Sequence, residues 1–177
     1  MAENINQAAN QEGDYNDKQE LYNEVESQIT GLVAEENDWL ANLANTTAVI
    51  YNQLPDLNWA GFYLRRSDGD LILGPFQGKS ACVRISPGSG VCGTAVETEK
   101  PQLVPDVHEF PGHIVCDPES RSELVIPLWS QEEIIGVLDL DSPSLARFDR
   151  YDLKRLQNII EILAENCSFS GYDFYSS

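Results

Sequence analysis

Positive charge is scarce in this chain: 11 Lys and Arg stand against 29 Asp and Glu, for a formal net charge of −18. Surfaces that bind phosphate need clustered cations, so this balance speaks against a nucleic-acid or anionic-membrane partner. Any apolar run of about 18 residues is also missing, which leaves no candidate for a transmembrane helix. The opening residues have neither a basic stretch nor an apolar stretch, so no secretory leader is read there and a cytoplasmic location is expected. No Cys-x-x-Cys pair occurs, which removes the zinc ribbon and the thioredoxin-type dithiol. The glycine-rich stretch 88–93 lacks the Lys-Ser/Thr ending of a P-loop. Four cysteines, Cys82, Cys92, Cys116 and Cys167, are too few for a disulfide scaffold in 177 residues. In a reducing compartment each is by default a free thiol and a small buried hydrophobe.

What remains is enough for a packed core. The chain is 42% hydrophobic with three Trp, and its length fits one domain of roughly 100–200 residues. Residues 1–17, rich in Asn, Gln and acids, are expected to form a disordered tail, 18–167 the folded domain and 168–177 a loose C-terminal tail. Leu21, Val25, Ile29, Leu32 and Val33 recur at helical spacing, and Trp39, Leu40, Leu43, Val49 and Ile50 continue the pattern. Gly31 and the polar patch 35–38 divide this stretch into two helices, with Asn37 or Asp38 capping the second and Pro55 stopping it. Strands are expected at 59–64, 71–76, 81–85, 102–104, 123–129 and 133–140, with Asp68-Gly69 marking a hairpin turn. A short helix at 91–97 and an amphipathic one at 149–164 complete the elements, and 105–121 reads as an ordered loop covering a ligand. Helices at both ends with hairpin-linked strands between them predict an α+β fold, an antiparallel sheet with helices packed on it.

Several residues can carry chemistry. Asp139 and Asp141 end an apolar strand on one shared face, about 7 Å apart at Cα. Two like charges at a partly buried site raise at least one pKa, and a carboxyl that keeps its proton can donate it to a developing oxyanion. A solvated strand end before Ser142-Pro143 is the plainer reading. Glu123 opens the neighbouring strand, as a partner for a ligand ammonium or as a rim charge. His108, His113 and Cys116 include metal-type ligands but lack a fourth, so no metal is expected. Cys116 lies in the loop with Asp117 opposing a thiolate and Arg121 or a protonated His113 favouring one. Cys82 falls in an expected strand, whereas Cys92 opens the short helix, whose positive end favours a thiolate. The same helix start offers backbone N–H groups to a small carboxylate. Trp59 and Tyr63 either line a pocket or belong to the core.

Taken together, these stretches resemble one family. They include Asn58-Trp59-Ala60-Gly61-Phe62-Tyr63-Leu64, Gly74-Pro75-Phe76-Gln77-Gly78-Lys79, Ala81-Cys82-Val83-Arg84-Ile85 and Gly90-Val91-Cys92-Gly93-Thr94-Ala95. They continue with Phe110-Pro111-Gly112-His113-Ile114, Cys116-Asp117 and Gly136-Val137-Leu138-Asp139-Leu140-Asp141-Ser142-Pro143. The chain over about 18–165 is similar to the free methionine-(R)-sulfoxide reductases, stand-alone GAF domains; GAF sensor modules that bind a small ligand without turnover share the fold but not the three cysteines. The resemblance implies a six-stranded antiparallel sheet backed by helices, with a loop-covered pocket on the other face. It implies Cys116 as nucleophile, Cys82 as resolving cysteine and Cys92 as a further redox cysteine. Glu123, Asp139 and Asp141 would be the pocket carboxylates and Trp59 the wall beside the substrate methyl. The implied partners are free methionine-(R)-sulfoxide, thioredoxin as external reductant and a second copy in a homodimer, with no other cofactor. Cys167 and the acidic N-terminal tail have no counterpart in the motif.

Overall fold

The computed structural model describes residues 2–169, with side chains from residue 16 onward. Two helices lead, α1 (Ala2–Glu35) and α2 (Trp39–Gln53), followed by the hairpin β1 (Trp59–Arg65) and β2 (Leu71–Gly78) and the short β3 (Arg84–Ile85). Helix α3 (Gly90–Thr98) and β4 (Gln102–Val104) precede a long connection, then come the hairpin β5 (Ser122–Ser130) and β6 (Glu133–Ser142) and the closing helix α4 (Arg150–Asn166). The six strands form one antiparallel sheet in the order β3-β2-β1-β6-β5-β4. This is the expected α+β architecture. No helix among the described residues is long and apolar enough to cross a membrane.

The two faces of the sheet follow from strand alternation. Ala60 and Phe62 of β1, Leu124, Ile126 and Leu128 of β5, and Leu138 and Leu140 of β6 pack with α1, α2 and α4 in one apolar cluster. Their neighbours, Trp59, Tyr63, Val125 and Val137, turn to the other face and join α3 in a second, smaller cluster. Each fully buried Leu, Ile or Phe of the first cluster contributes about 1.5–3 kcal/mol from apolar burial. Asp38 caps α2 by accepting from the Ala41 amide at 2.9 Å. Asp149 and Asp152 form a reciprocal capping box at the start of α4. The same Asp152 accepts from Tyr22 Oη at 2.7 Å and pairs with Lys18 at 2.7 Å, which ties α1 to α4.

Three expectations are corrected. Residues 2–17 are the opening turns of α1 rather than a disordered tail. No proline interrupts this stretch, and its Ala, Gln and Glu extend an established helix at little cost. Within the expected C-terminal tail, Phe169 is buried against Trp39 with ring centroids 6.3 Å apart, and Ser168 bridges Asp38; residues 170–177 lie outside the described residues. The strand expected at 81–85 is only Arg84–Ile85; the Val83 carbonyl still accepts from the Leu73 amide of β2 at 3.0 Å, but residues 79–82 have left the ladder. Tyr63 Oη donates to the Cys82 carbonyl at 2.9 Å and holds that segment in place.

Candidate active site

The site is assembled by register. Glu123 of β5 and Trp59 of β1 both pair with Asp141 of the intervening β6, so three side chains form one row across three strands. The next row along β6 sets Asp139 between Gly61 and Val125. Gly61 has no side chain for a steric reason. A Cβ there would lie 2.5 Å from the Trp59 ring and 2.5 Å from Phe76, so glycine lets the indole lie flat over the sheet. Trp59 stacks on Tyr63 and Phe76 with centroids 5.8 and 5.5 Å away, and its Nε1 donates to the Lys79 carbonyl.

Over this face lie residues 79–83, the start of α3 and the 105–121 connection, whose only regular piece is a 3-10 turn at Val107–Glu109. Gly90 opens α3 with a positive φ of 61°, and a Cβ there would meet Ile114 at 3.2 Å, so glycine brings the connection down onto the helix start. Ser89 makes no side-chain cap, and the first-turn amides of Gly90, Val91 and Cys92 have no helical acceptor. Both ends of the connection are bound to the sheet: Val107 N donates to Arg121 O, and Arg121 N donates to Ser142 O. Its centre is fixed by Asp117. That carboxylate pairs with Lys79 at 3.3 Å, accepts from Asn58 Nδ2 at 3.3 Å and takes the Glu119 amide at 3.0 Å.

Cys116 and Cys82 are joined by a disulfide, with Cα atoms 5.6 Å apart. The bridge closes one side of a cavity of about 40 Å³ lined by Trp59, Cys92, His113, Glu123, Asp139 and Asp141 among others. That is room for a few waters. Cys92 is a buried free thiol beside Asp139, whereas Cys167 is buried at the far end of α4, near Asn42. Of the seven residues singled out as candidates, Cys82, which the bridge places at the edge of this cavity, is the one that the cavity lining omits.

The electrostatics of this cavity are those of crowded acids. Burial, then the neighbouring Asp139 and Asp141, raise the Glu123 pKa well above the ordinary carboxylate value. Burial likewise raises Asp141, with Asp139 adding to the shift and a hydrogen bond from Ser120 opposing it. Asp139 is pushed up to about 7 by burial, against the opposing hydrogen bonds from Cys92 and Glu123. The Glu123–Asp139 hydrogen bond requires one of the two to keep its proton, and the Asp139 Oδ1 has no partner in the protein. The Cys92 thiol is raised well above its usual value by burial and by the same carboxylates. The thiolate expected there from the helix dipole is thereby corrected: a partial charge at a helix end is outweighed by desolvation and three nearby acids.

The loop residues are arranged differently from the expectation as well. The Arg121 guanidinium pairs with Asp106 at 3.9 Å. His113 Nε2 stands 3.9 Å from Glu123, and burial followed by His108 lowers its pKa. His108, His113 and Cys116 do not converge. Among the described residues, the one set of three metal-type donors within 4.8 Å of one another is Cys92, Glu123 and Asp139. Asn58, Lys79 and Ser120 also belong to the site, although no role follows for them from the sequence. Their signal was position: Asn58 immediately precedes β1, Lys79 immediately follows β2, and Ser120 comes just before β5.

Comparison with known proteins supplies the family. Residues 38–167 match the GAF domain family. The chain is 48% identical over 161 residues to the free methionine-R-sulfoxide reductase of Escherichia coli, covering 90% of this chain and 97% of that protein. It is 40% identical over 159 residues to the enzyme of that name from Saccharomyces cerevisiae, covering 86% and 88%. The X-ray structure of the Neisseria meningitidis free methionine-R-sulfoxide reductase in complex with its substrate superposes with a TM-score of 0.79 at 47% identity, covering 82% of this chain and 87% of that one. This chain belongs to the GAF-domain family and, within it, to the free methionine-(R)-sulfoxide reductases.

Proposed function

We propose that this chain reduces free L-methionine (R)-S-oxide to methionine, with Cys116 as nucleophile and Cys82 as resolving cysteine. The observation that carries the reading is a bridged cysteine pair closing a cavity floored by three crowded, buried carboxyl groups whose pKa values are raised. A sulfoxide oxygen leaves only when protonated, so the reaction needs a thiolate and an acid at one site. In the reduced protein, the Cys116 thiolate attacks the sulfoxide sulfur while Asp139 or Asp141 delivers a proton to the oxygen. Hydroxyl transfer to Cys116 releases methionine and leaves a sulfenic acid. The Cys82 thiol displaces water from it, forming the disulfide, and an external dithiol contributes two electrons and two protons to restore both thiols.

Recognition follows from charge. The substrate ammonium would meet Glu123 and its acidic neighbours, and its carboxylate the free amides at the start of α3. Trp59 would flank the methyl group. Methionine sulfoxide inside a peptide has no ammonium, and burying Glu123 ionised without a partner is costly. A cavity of about 40 Å³ is too small for the whole substrate, so in this reading reduction of Cys82–Cys116 frees the 105–121 segment to admit it. Cys92 would serve as a second thiol able to pair with Cys116. Thioredoxin is the proposed donor, no other cofactor is required, the reducing cytoplasm suits the cycle, and the homodimer belongs to the same reading.

The test is an assay with dithiothreitol and free methionine sulfoxide of both sulfur configurations. The R epimer should be consumed and the S epimer left. Ligand binding with no methionine released would make the chain a sensor instead.

A further inference from the structure

Five large apolar side chains are exposed among the described residues: Leu40, Val83, Ile114, Val115 and Leu145. Three of the five adjoin the bridged cysteines. Val83 follows Cys82 directly and is 68% exposed; Val115 directly precedes Cys116 and is 59% exposed, with Ile114 beside it. The bridge draws their backbones together, since the cysteine Cα atoms are only 5.6 Å apart. The bond itself is half-buried at the same surface. Single exposed apolar side chains are ordinary on a folded protein, but several gathered about one bond form a contiguous patch of the kind that marks a contact surface. Neither valine lines the cavity, so substrate contact does not account for them.

We propose that Val83 and Val115 form the docking rim for a protein dithiol that reopens Cys82–Cys116. The inference rests on the reductase reading above. The occupant is specified by what lies at the centre of the patch: a disulfide that a thiolate must approach along the S–S axis. A protein donor must bring its own backbone against the chain around that bond, and the two valines are the surface it meets. The donor thiolate attacks one bridged sulfur and expels the other as a thiol, forming a mixed disulfide. The donor's second thiol then displaces the remaining cysteine, so that the donor leaves oxidised and both cysteines reduced. A small dithiol needs no such surface.

The comparison of donors tests this. Val83→Glu, Val115→Glu and the double variant are assayed for methionine formation with thioredoxin and, separately, with dithiothreitol. The expected result is a loss of tenfold or more in kcat/KM for thioredoxin in the double variant, with the dithiothreitol rate within twofold of the parent. A thioredoxin whose second active-site cysteine is replaced by serine should trap as a mixed disulfide with the parent, slowing amide exchange at Val83 and Val115 but not at Leu40 or Leu145. Equal rates with thioredoxin across all variants overturn the proposal. So does a parallel fall with both donors, which would make the valines part of the fold or pocket. A change from dimer to monomer in the variants with unaltered donor kinetics would assign the patch to a second copy and also overturn it. Failure of the parent to turn over with dithiothreitol would instead sink the reductase reading.

Discussion

On β6, Leu138 and Leu140 turn to the helices while Asp139 and Asp141 turn to the lid, so the two faces of one strand differ by a single residue step. β5 repeats the pattern, with Leu124 on the helix side and Glu123 on the lid side. The helix face is an ordinary dry core in which each side chain lowers the free energy of the fold. On the lid face, carboxylates are buried beside one another and against a thiol, at a cost that the fold bears. The helix face thus provides the stability that lets the lid face hold groups in states they would not adopt in water. The two faces should therefore respond to substitution in different observables.

The largest separation is expected from Cys116→Ser, which should lower turnover by roughly three orders of magnitude or more, since the remaining groups act only with the nucleophile. Under reducing conditions its Tm should stay near that of the parent. Leu138→Ala should do the reverse. It should cost about 2–5 kcal/mol of stability in denaturant unfolding, because its site lies fully buried between Phe62 and Ile126, while leaving KM of the folded fraction unchanged. A Leu138→Ala protein with altered KM and unaltered stability would mean that the faces are not separable. A smaller effect is expected from Glu123→Gln, which removes one charge from the ammonium pocket. KM for the free sulfoxide should rise about tenfold, about 1.4 kcal/mol, with kcat changed less, and discrimination against N-acetylmethionine sulfoxide should narrow. An unchanged KM removes the ammonium contact from the reading.

The helix face was legible in the sequence because its rules are periodic. Leu156, Ile159, Ile160 and Leu163 of α4 recur at helical spacing and are buried as that spacing requires. The alternation in β5 and β6 likewise put Asp139 and Asp141 on one side. The carboxylates, the tryptophan and the loop cysteine could be named as candidates, but the row Trp59–Asp141–Glu123 could not be read, because it depends on the register of three strands. Cys82 was misplaced for a related reason. Its segment, Ala81-Cys82-Val83-Arg84-Ile85, is mostly apolar and partly β-branched like a strand, yet Cys82 leaves the ladder to reach Cys116, and a cross-link over 34 residues has no local signature. The thiolate expected at Cys92 failed because a helix start is visible in one dimension and three approaching carboxylates are not. The helix at 2–17 went unread because a polar stretch with no face to bury carries no periodicity to detect.

The finest distinction between the faces concerns pH. Asp149, on the helix side, is lowered in pKa by Lys18 and by backbone amides that outweigh its burial, so its contribution to stability is present above the ordinary Asp range and lost as pH falls through its folded value. Asp139 behaves oppositely. Its pKa is raised to about 7 by burial, so the folded protein holds a proton that the unfolded chain releases near pH 4. Its contribution is therefore present below pH 4 and is lost as pH rises toward and through 7, and the raised pKa values of Glu123 and Asp141 push the same way. Asp139→Asn keeps the shape and removes the ionisation. Relative to the parent it should be more stable at pH 8, by roughly 4 kcal/mol, and little different at pH 4. Over the same range, the limb of the pH–rate profile in which activity falls near pH 7 should disappear along with most of the rate. Equal stability differences at pH 4 and pH 8 would mean that Asp139 ionises at the same pH in the folded and unfolded chain, which would remove it as the acid and leave that role to Asp141.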